Sequence, residues 1–313
     1  MEEEISVFVN IVISLGVNKG MYKCLLWGTG KVFSYSTQVI KYYEHCQEIE
    51  IVGVTSNEKL YRQILGWPFI PKHEISDYSI DIVIVMIENP NITVFEEIYS
   101  KGFRYEDVID IKVMKLPSFS FEKYLCIKKN TPTIFSPICW GGVTYHSLGL
   151  RFESPFINMF LLEEDYMHFL GDPKSYIVHE IRYKKTGWSE IMKKEYPVAD
   201  CDGIEMHFNH FNSFEEAKSS WDKRKKRINW DNILAMMFTD KPDVAEKFLE
   251  MKYSKRILFT SFKIDNKDVV YLDLNNYRDG IDLWTAVNDT ANGKYVNYDI
   301  FRMMTDGEIS FLI

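Results

Sequence analysis

Tyr22-Lys23-Cys24-Leu25-Leu26-Trp27-Gly28-Thr29-Gly30 is a mainly apolar run that ends in a Gly-x-Gly turn. A helix-like stretch follows over residues 31–45, and then a second apolar run at 49–55 (IEIVGVT). A third run lies at 81–87 (DIVIVMI), a helical stretch at 91–101 and a fourth strand pattern at 107–111. Continuous apolar strands that alternate with helices predict parallel βαβ units, because a parallel strand is covered on both faces. Small residues at the Gly-x-Gly turn let backbone approach an anion, and the helix N-terminus behind it offers free N–H groups. Gly28, Gly30 and Lys31 are therefore the candidate cofactor-binding residues. Two departures oppose a dinucleotide. Phe33 stands at the third glycine of the fingerprint, and Thr55-Ser56-Asn57 replaces the ribose-binding carboxylate. The alternative is a turn that serves the fold alone.

The chain has 313 residues, which predicts two domains. The polar break Lys128-Lys129-Asn130 places them at 1–130, with 1–20 as an accessory segment, and 131–313. The fold class read from this pattern is α/β: a Rossmann-like parallel-sheet domain followed by a second α/β domain. Residues 5–17 are strongly apolar but fall short of the roughly 20 needed to span a bilayer. The acidic start Glu2-Glu3-Glu4 does not suit a signal peptide. Net charge is -8, which argues against a general nucleic-acid binder. Five cysteines without a CxxC fit reduced thiols, and so a cytoplasmic location, better than a disulfide framework. Aromatic residues make up 15%, the mark of a large core.

In the second half, strand patterns at 133–136, 203–208, 233–239, 256–262 and 269–274 alternate with helical stretches at 143–150, 160–170, 214–229 and 242–251. Ser213 is the expected N-cap of the third of these helices, with Glu216 completing a capping box. Ligands gather at the carboxyl ends of strands in open α/β sheets, which directs attention to Ser136 with Cys139, to Asp240 and to Thr260-Ser261. On a continuous helix Arg224, Arg227 and Asp231 share a face, where two guanidinium groups can grip a diphosphate. The opposing reading is a solvated basic helix, or an Arg–Asp brace between helix and strand. Such a basic segment can also touch an anionic membrane surface, at roughly 1 kcal/mol per charge. His207 is a candidate general base, set against a core role. His207 and His210, three apart, resemble a metal pair, but no carboxylate has ligand spacing, so no metal is expected. Cys139 in Cys-Trp-Gly-Gly is a candidate nucleophile, set against a small buried thiol.

The first half, with its strand-GxG-helix start, IVGV, GWPFIP and DIVIVMI segments, resembles the N-terminal domain of sugar-modifying acyltransferases. That resemblance implies a site for a nucleotide-linked sugar. The second half carries SPICWGGVTYHSLGLRFESPFINMFL (136–161), DYMHFL (165–170), IEMHFNHFNSFEEAKSSWDKRKKRINWDNI (204–233) and FTDK (238–241). It resembles a bacterial family labelled exopolysaccharide-biosynthesis protein, which implies cell-surface glycan assembly as the setting and no reaction. Motif residues set apart for substrate binding are Trp140, Tyr145, Arg224, Arg227, Asn229, Asp231 and Asn232. Asp240 and His207 are the candidate catalytic pair. The expected function is a transferase acting on a nucleotide- or lipid-linked sugar. The rivals are a non-catalytic nucleotide-sugar module and an NAD-dependent enzyme.

Overall fold

A computed structural model describes residues 20–57, 62–276, 280–291 and 298–311, so the apolar stretch at 5–17 lies outside the described residues. The chain divides into two compact units, Met1–Met114 and Lys115–Ile313.

The first unit runs β1 (Tyr22–Trp27), α1 (Lys31–His45), β2 (Ile49–Thr55), a short hairpin of β3 (Gln63–Ile64) and β4 (Trp67–Pro68), β5 (Ile82–Val85), α2 (Ile92–Ser100), β6 (Val108–Asp110) and α3 (Ile111–Met114). Four strands form a parallel sheet in the order β2-β1-β5-β6. The chain steps one way from β1 to β2 and the other way to β5. The carboxyl ends of β1 and β5 thus flank a topological switch point. Gly28 sits there with φ +110°, and a Cβ on it would lie 2.8 Å from Ile87 Cγ1 and 3.2 Å from the Met86 carbonyl oxygen. The fold alone demands that glycine. Gly30 is the N-cap of α1 and has open space around it. Phe33 is buried edge-on against Trp67, with ring centres 6.2 Å apart, so an aromatic contact replaces the close helix–strand contact of the third fingerprint glycine. Asn57 Oδ1 accepts from Lys72 Nζ, which also bonds Glu97 at 2.6 Å and lies 4.8 Å from the Trp27 ring centre.

The second unit runs α4 (Phe121–Lys129), β7 (Thr133–Phe135), α5 (Trp140–Ser147), α6 (Glu163–Gly171), α7 (Pro173–Val178), β8 (Arg182–Ser189), β9 (Lys194–Cys201), β10 (Ile204–His207), α8 (Phe214–Arg224), β11 (Ile233–Thr239), α9 (Pro242–Glu250), β12 (Lys255–Thr260), β13 (Val269–Tyr271), α10 (Leu283–Ala291) and α11 (Ile300–Asp306). Its main sheet is parallel, in the order β13-β12-β11-β7. Each step goes the same way, so all four carboxyl ends share one edge with no reversal. A second, antiparallel sheet has the order β10-β9-β8. The aromatic residues go into the core: Phe156 packs edge-on against Phe135, Tyr166, Phe169 and Trp221. Such pairs add roughly 0.5–1.5 kcal/mol each beyond area burial.

The division between units falls ahead of the polar break at 128–130. Helix α4 belongs to the second unit because Phe119 and Tyr124 pack on Phe301, and Lys123 Nζ bonds Asp299 at 2.9 Å. Among the described residues no helix is long and apolar enough to cross a membrane.

The two glycines of the turn give a stability test. Gly28→Ala is expected to cost about 2 kcal/mol, from the positive φ and the contact with Ile87. Gly30→Ala is expected to cost under about 1 kcal/mol, since only cap preference changes. Urea denaturation of the two variants beside the parent protein measures both.

Candidate functional site

At the end of β7 the chain turns through Ser136-Pro137-Ile138-Cys139 into α5. Ser136 Oγ donates to the Ile138 carbonyl at 2.8 Å and fixes the turn. Leu161 N–H donates to the Pro137 carbonyl at 3.0 Å. A Cβ on Gly141 would lie 3.0 Å from Ile134 Cγ2 and 3.3 Å from Ser136 Cβ, so this residue lets α5 lie against β7. Trp140 is fully buried and its indole N–H donates to Thr290 Oγ1 at 3.0 Å. These contacts leave Cys139 at the N-cap of α5, partly exposed.

Facing it is His210, on the loop that leaves β10. Phe208 N–H bonds the Pro197 carbonyl and Phe211 N–H the Phe208 carbonyl, which shapes that loop. Cys139 Sγ and His210 Nε2 are 3.8 Å apart, within reach of a hydrogen bond to sulfur. Burial raises the Cys139 pKa, since a thiolate loses hydration there. Burial, and next the charge of Lys194, lowers the pKa of His210. Both shifts favour uncharged forms, so the resting pair is thiol and neutral imidazole. The first helical hydrogen bond of α5 runs from Val143 N–H to the Cys139 carbonyl at 2.9 Å. The N–H groups of residues 140–142 come before it and have no partner one turn back.

The residues singled out from sequence scatter around this pair. His207 is buried, its ring stacked 4.5 Å from Phe160, with Nδ1 3.2 Å from the Tyr196 hydroxyl. Its Nε2 is 3.6 Å from Glu205, too far for a hydrogen bond, and is shielded from solvent. Burial lowers the His207 pKa, against the opposing pull of Glu205. Asp240 is exposed at the end of β11, and its neighbours Thr239 and Lys241 both bond Glu163, at 2.7 and 2.6 Å. Tyr145 is buried; its hydroxyl donates to the Pro132 carbonyl at 2.7 Å and accepts from Ile134 N–H at 2.9 Å. Trp140 and Tyr145 therefore serve packing, in place of the expected substrate contacts.

The basic face does not form. Helix α8 ends at Arg224, a 3-10 turn covers Lys225–Arg227, and the chain is extended at Ile228. The turn toward β11 breaks the helix, because Asn229 N–H bonds Thr133 Oγ1 at 2.8 Å and the Asn232 side chain bonds the Asn130 carbonyl at 2.7 Å. Arg224 Nη1 donates to the Ile157 carbonyl at 2.7 Å and Arg227 Nη1 to the Phe152 carbonyl at 3.3 Å. Asn229 Nδ2 bonds Asn130 Oδ1 at 2.8 Å, and Asn232 Oδ1 accepts from Lys255 at 2.8 Å. Asp231 is exposed. The guanidinium groups thus brace the 152–157 loop through its backbone carbonyls, and not an aspartate as the opposing reading had it. No hydrogen bond or ion pair joins any two of Asp240, His207 and Arg224 among the described residues.

A family profile described as "Domain of unknown function (DUF1919)" matches residues 110–305, more than half of the chain. The chain belongs to the DUF1919 family. The first unit is similar to a second profile, "C2185-like, N-terminal", over residues 20–109. A protein of Haemophilus influenzae described as uncharacterized is 32% identical over 132 residues. That alignment covers 41% of this chain and 61% of the relative, so the chain spans about three-fifths of the relative's length.

Within the DUF1919 domain, sequence reasoning named His210 only beside His207 and missed its pairing with Cys139. The two are 71 positions apart, and nothing in their spacing joins them. Among the described residues no group of three or more His, Cys, Asp or Glu is arranged to hold a metal. All five cysteines are free thiols.

The arginine brace has a measurable consequence. Arg224→Ala leaves the Ile157 carbonyl without its donor and is expected to cost about 1–3 kcal/mol. Asp231→Ala is expected to stay within about 0.5 kcal/mol of the parent. Chemical denaturation of both variants checks the contrast.

Proposed function

We propose that the DUF1919 domain is a thiol-dependent acyltransferase, with Cys139 as nucleophile and His210 as its base. The 3.8 Å approach of Cys139 Sγ to His210 Nε2, at the N-terminus of α5, carries this reading. The acyl donor is an activated ester or thioester. The thiol proton passes to His210 Nε2 as Sγ forms a bond to the acyl carbon. In this mechanism the N–H groups of residues 140–142 receive the developing oxyanion. The donor's leaving group then departs with the proton from His210. A hydroxyl acceptor attacks the resulting thioester, gives its proton to His210, and restores the free thiol. Both resting groups are neutral, so no preformed ion pair has to be desolvated.

The resemblance of the 136–161 and 204–233 segments to exopolysaccharide-biosynthesis proteins supports a sugar hydroxyl as the acceptor, on a nucleotide- or lipid-linked sugar. Free thiols and the lack of a crossing helix among the described residues support a cytoplasmic setting. Asp240 and His207 leave the catalytic role, the first because it stands exposed beside groups bound to Glu163, the second because its ring is closed in by Phe160 and Tyr196. The rival reading, a module that binds without catalysis, draws support from the same dispersal.

The test is acyl transfer itself. The parent protein, incubated with a panel of acyl thioesters, should acquire an acyl group on Cys139, found by peptide mass mapping. Cys139→Ser should lose the adduct, and His210→Ala should slow its formation by about 100-fold or more. An adduct on the exposed Cys46 or Cys126 in place of Cys139, or none in the parent, would reject the mechanism. The base must be unprotonated, and the His210 pKa is lowered. The acid limb of kcat/KM should therefore lie below the ordinary histidine value, with full rate at neutral pH.

A further inference from the structure

A cavity of about 450 Å³ opens where β8 and β9 meet the start of α8. Its walls include Tyr183, Tyr196 and Phe214, and its polar side chains include Glu195 and Glu215. Tyr183 is 53% exposed and meets Phe214 edge-on at 5.9 Å. An exposed aromatic pair beside a concave space offers ring faces to a bound group.

The polar groups of the wall decide what that group is. The Tyr183 and Thr186 hydroxyls bond each other at 2.7 Å. Ser213 Oγ accepts from Glu216 N–H at 3.2 Å as the cap of α8. Asn212 Oδ1 accepts from Lys194 Nζ at 3.1 Å. Lys194 also reaches the His210 carbonyl at 3.4 Å and pairs with neither carboxylate. Glu195 and Glu215 have no hydrogen bond or ion pair among the described residues. Glu215 lies in the first turn of α8, where the helix dipole favours a negative charge. Glu195, on β9, has no such local reason. The cavity therefore combines ring faces with two unspent acceptors, and its hydroxyl groups are already engaged: Tyr183 with Thr186, Ser213 with the Glu216 N–H, and Tyr196 with His207 Nδ1. An anion is repelled there, and a neutral polyol finds few donors.

We infer that this cavity binds a small organic cation, an ammonium group on a compact carbon skeleton, held against the rings of Tyr183 and Phe214 and between Glu195 and Glu215. Cation–π attraction and charge pairing both act on such a ligand. Neither Cys139 nor His210 lines the cavity, and the inference does not rest on the acyltransferase reading.

Isothermal titration of the whole chain with choline, beside its neutral isostere 3,3-dimethyl-1-butanol, tests this. Choline should bind saturably, and the alcohol should bind at least about tenfold more weakly. The double variant Glu195→Gln/Glu215→Gln changes two exposed residues and should keep the fold while weakening choline about tenfold or more. Tyr183→Ala should weaken it severalfold, and raised salt should weaken it in the parent. Absence of saturable choline binding, equal binding of the alcohol, or unchanged affinity in the double variant would each overturn the inference.

Discussion

The chain must pass from β7 to α5 in four residues, and it can do so only because α5 lies directly on the strand it has just left. Gly141 makes that approach sterically open, with Ile134 and Ser136 where a Cβ would press. The rest of the DUF1919 motif is built around this close contact. Tyr145 bridges from α5 to both ends of the β7 entry, through Pro132 and Ile134. Ser154 Oγ donates to the Ile134 carbonyl at 2.6 Å, and Thr133 Oγ1 to the Glu153 carbonyl at 2.7 Å. Arg224 and Arg227 then hold the carbonyls of the same 152–157 loop from its other side. A strand of three residues has few ladder bonds of its own. The side chains around it supply the order that the ladder cannot.

The α/β class was legible because the fold-defining strands are buried on both faces and so leave continuous apolar runs. Residues 22–27, 49–55 and 233–239 match β1, β2 and β11 to the residue. The caps were legible for local reasons: Ser213 accepts from Glu216 N–H as expected, while the Glu216 carboxylate reaches Asn212 N–H in place of its own cap residue. Strand β8 left no such trace. Its sequence, RYKKTGWS, is mostly exposed, since it forms the edge of the antiparallel sheet, and an edge strand with lysines carries no apolar period. The division into compact units falls ahead of the expected limit for a related reason. Lys128-Lys129-Asn130 reads as a linker, yet it ends a helix whose other face is fixed to α11 by Tyr124 and Phe301.

The basic run at 223–227 shows why sequence cannot separate a ligand grip from a brace. To a guanidinium group, a backbone carbonyl and a phosphate oxygen are both acceptors at hydrogen-bond distance. What separates them is whether the fold already supplies one. Here it does, because a loop that crosses the end of a short strand leaves carbonyls pointing away from any ladder. Burial lowers the pKa of Arg224, a cost that a hydrogen bond at 2.7 Å offsets. A free phosphate site at the same place would leave Ile157 O without its donor.

The same comparison distinguishes the cysteines. Cys24 and Cys201 are fully buried, each with its sulfur near a backbone carbonyl, Tyr22 at 3.5 Å and Tyr176 at 3.4 Å. Burial pushes the Cys201 thiol up to about 11, so it stays protonated and inert. Cys139 differs in three ways that burial alone does not explain. It is partly exposed, it stands at a helix N-terminus, and its neighbour is a ring nitrogen and not a carbonyl. A carbonyl can only hold a thiol proton in place, whereas an imidazole whose pKa is lowered can take that proton and return it. Desolvation favours the neutral forms of both groups; in the proposed mechanism an electrophile then draws the thiol proton to His210, and the helix N–H groups stabilise the oxygen that gains charge. The loop after β10 brings His210 to this position, and the turn after β7 brings Cys139. The proposed chemistry thus depends on two segments that the sequence keeps 71 positions apart and the fold brings together.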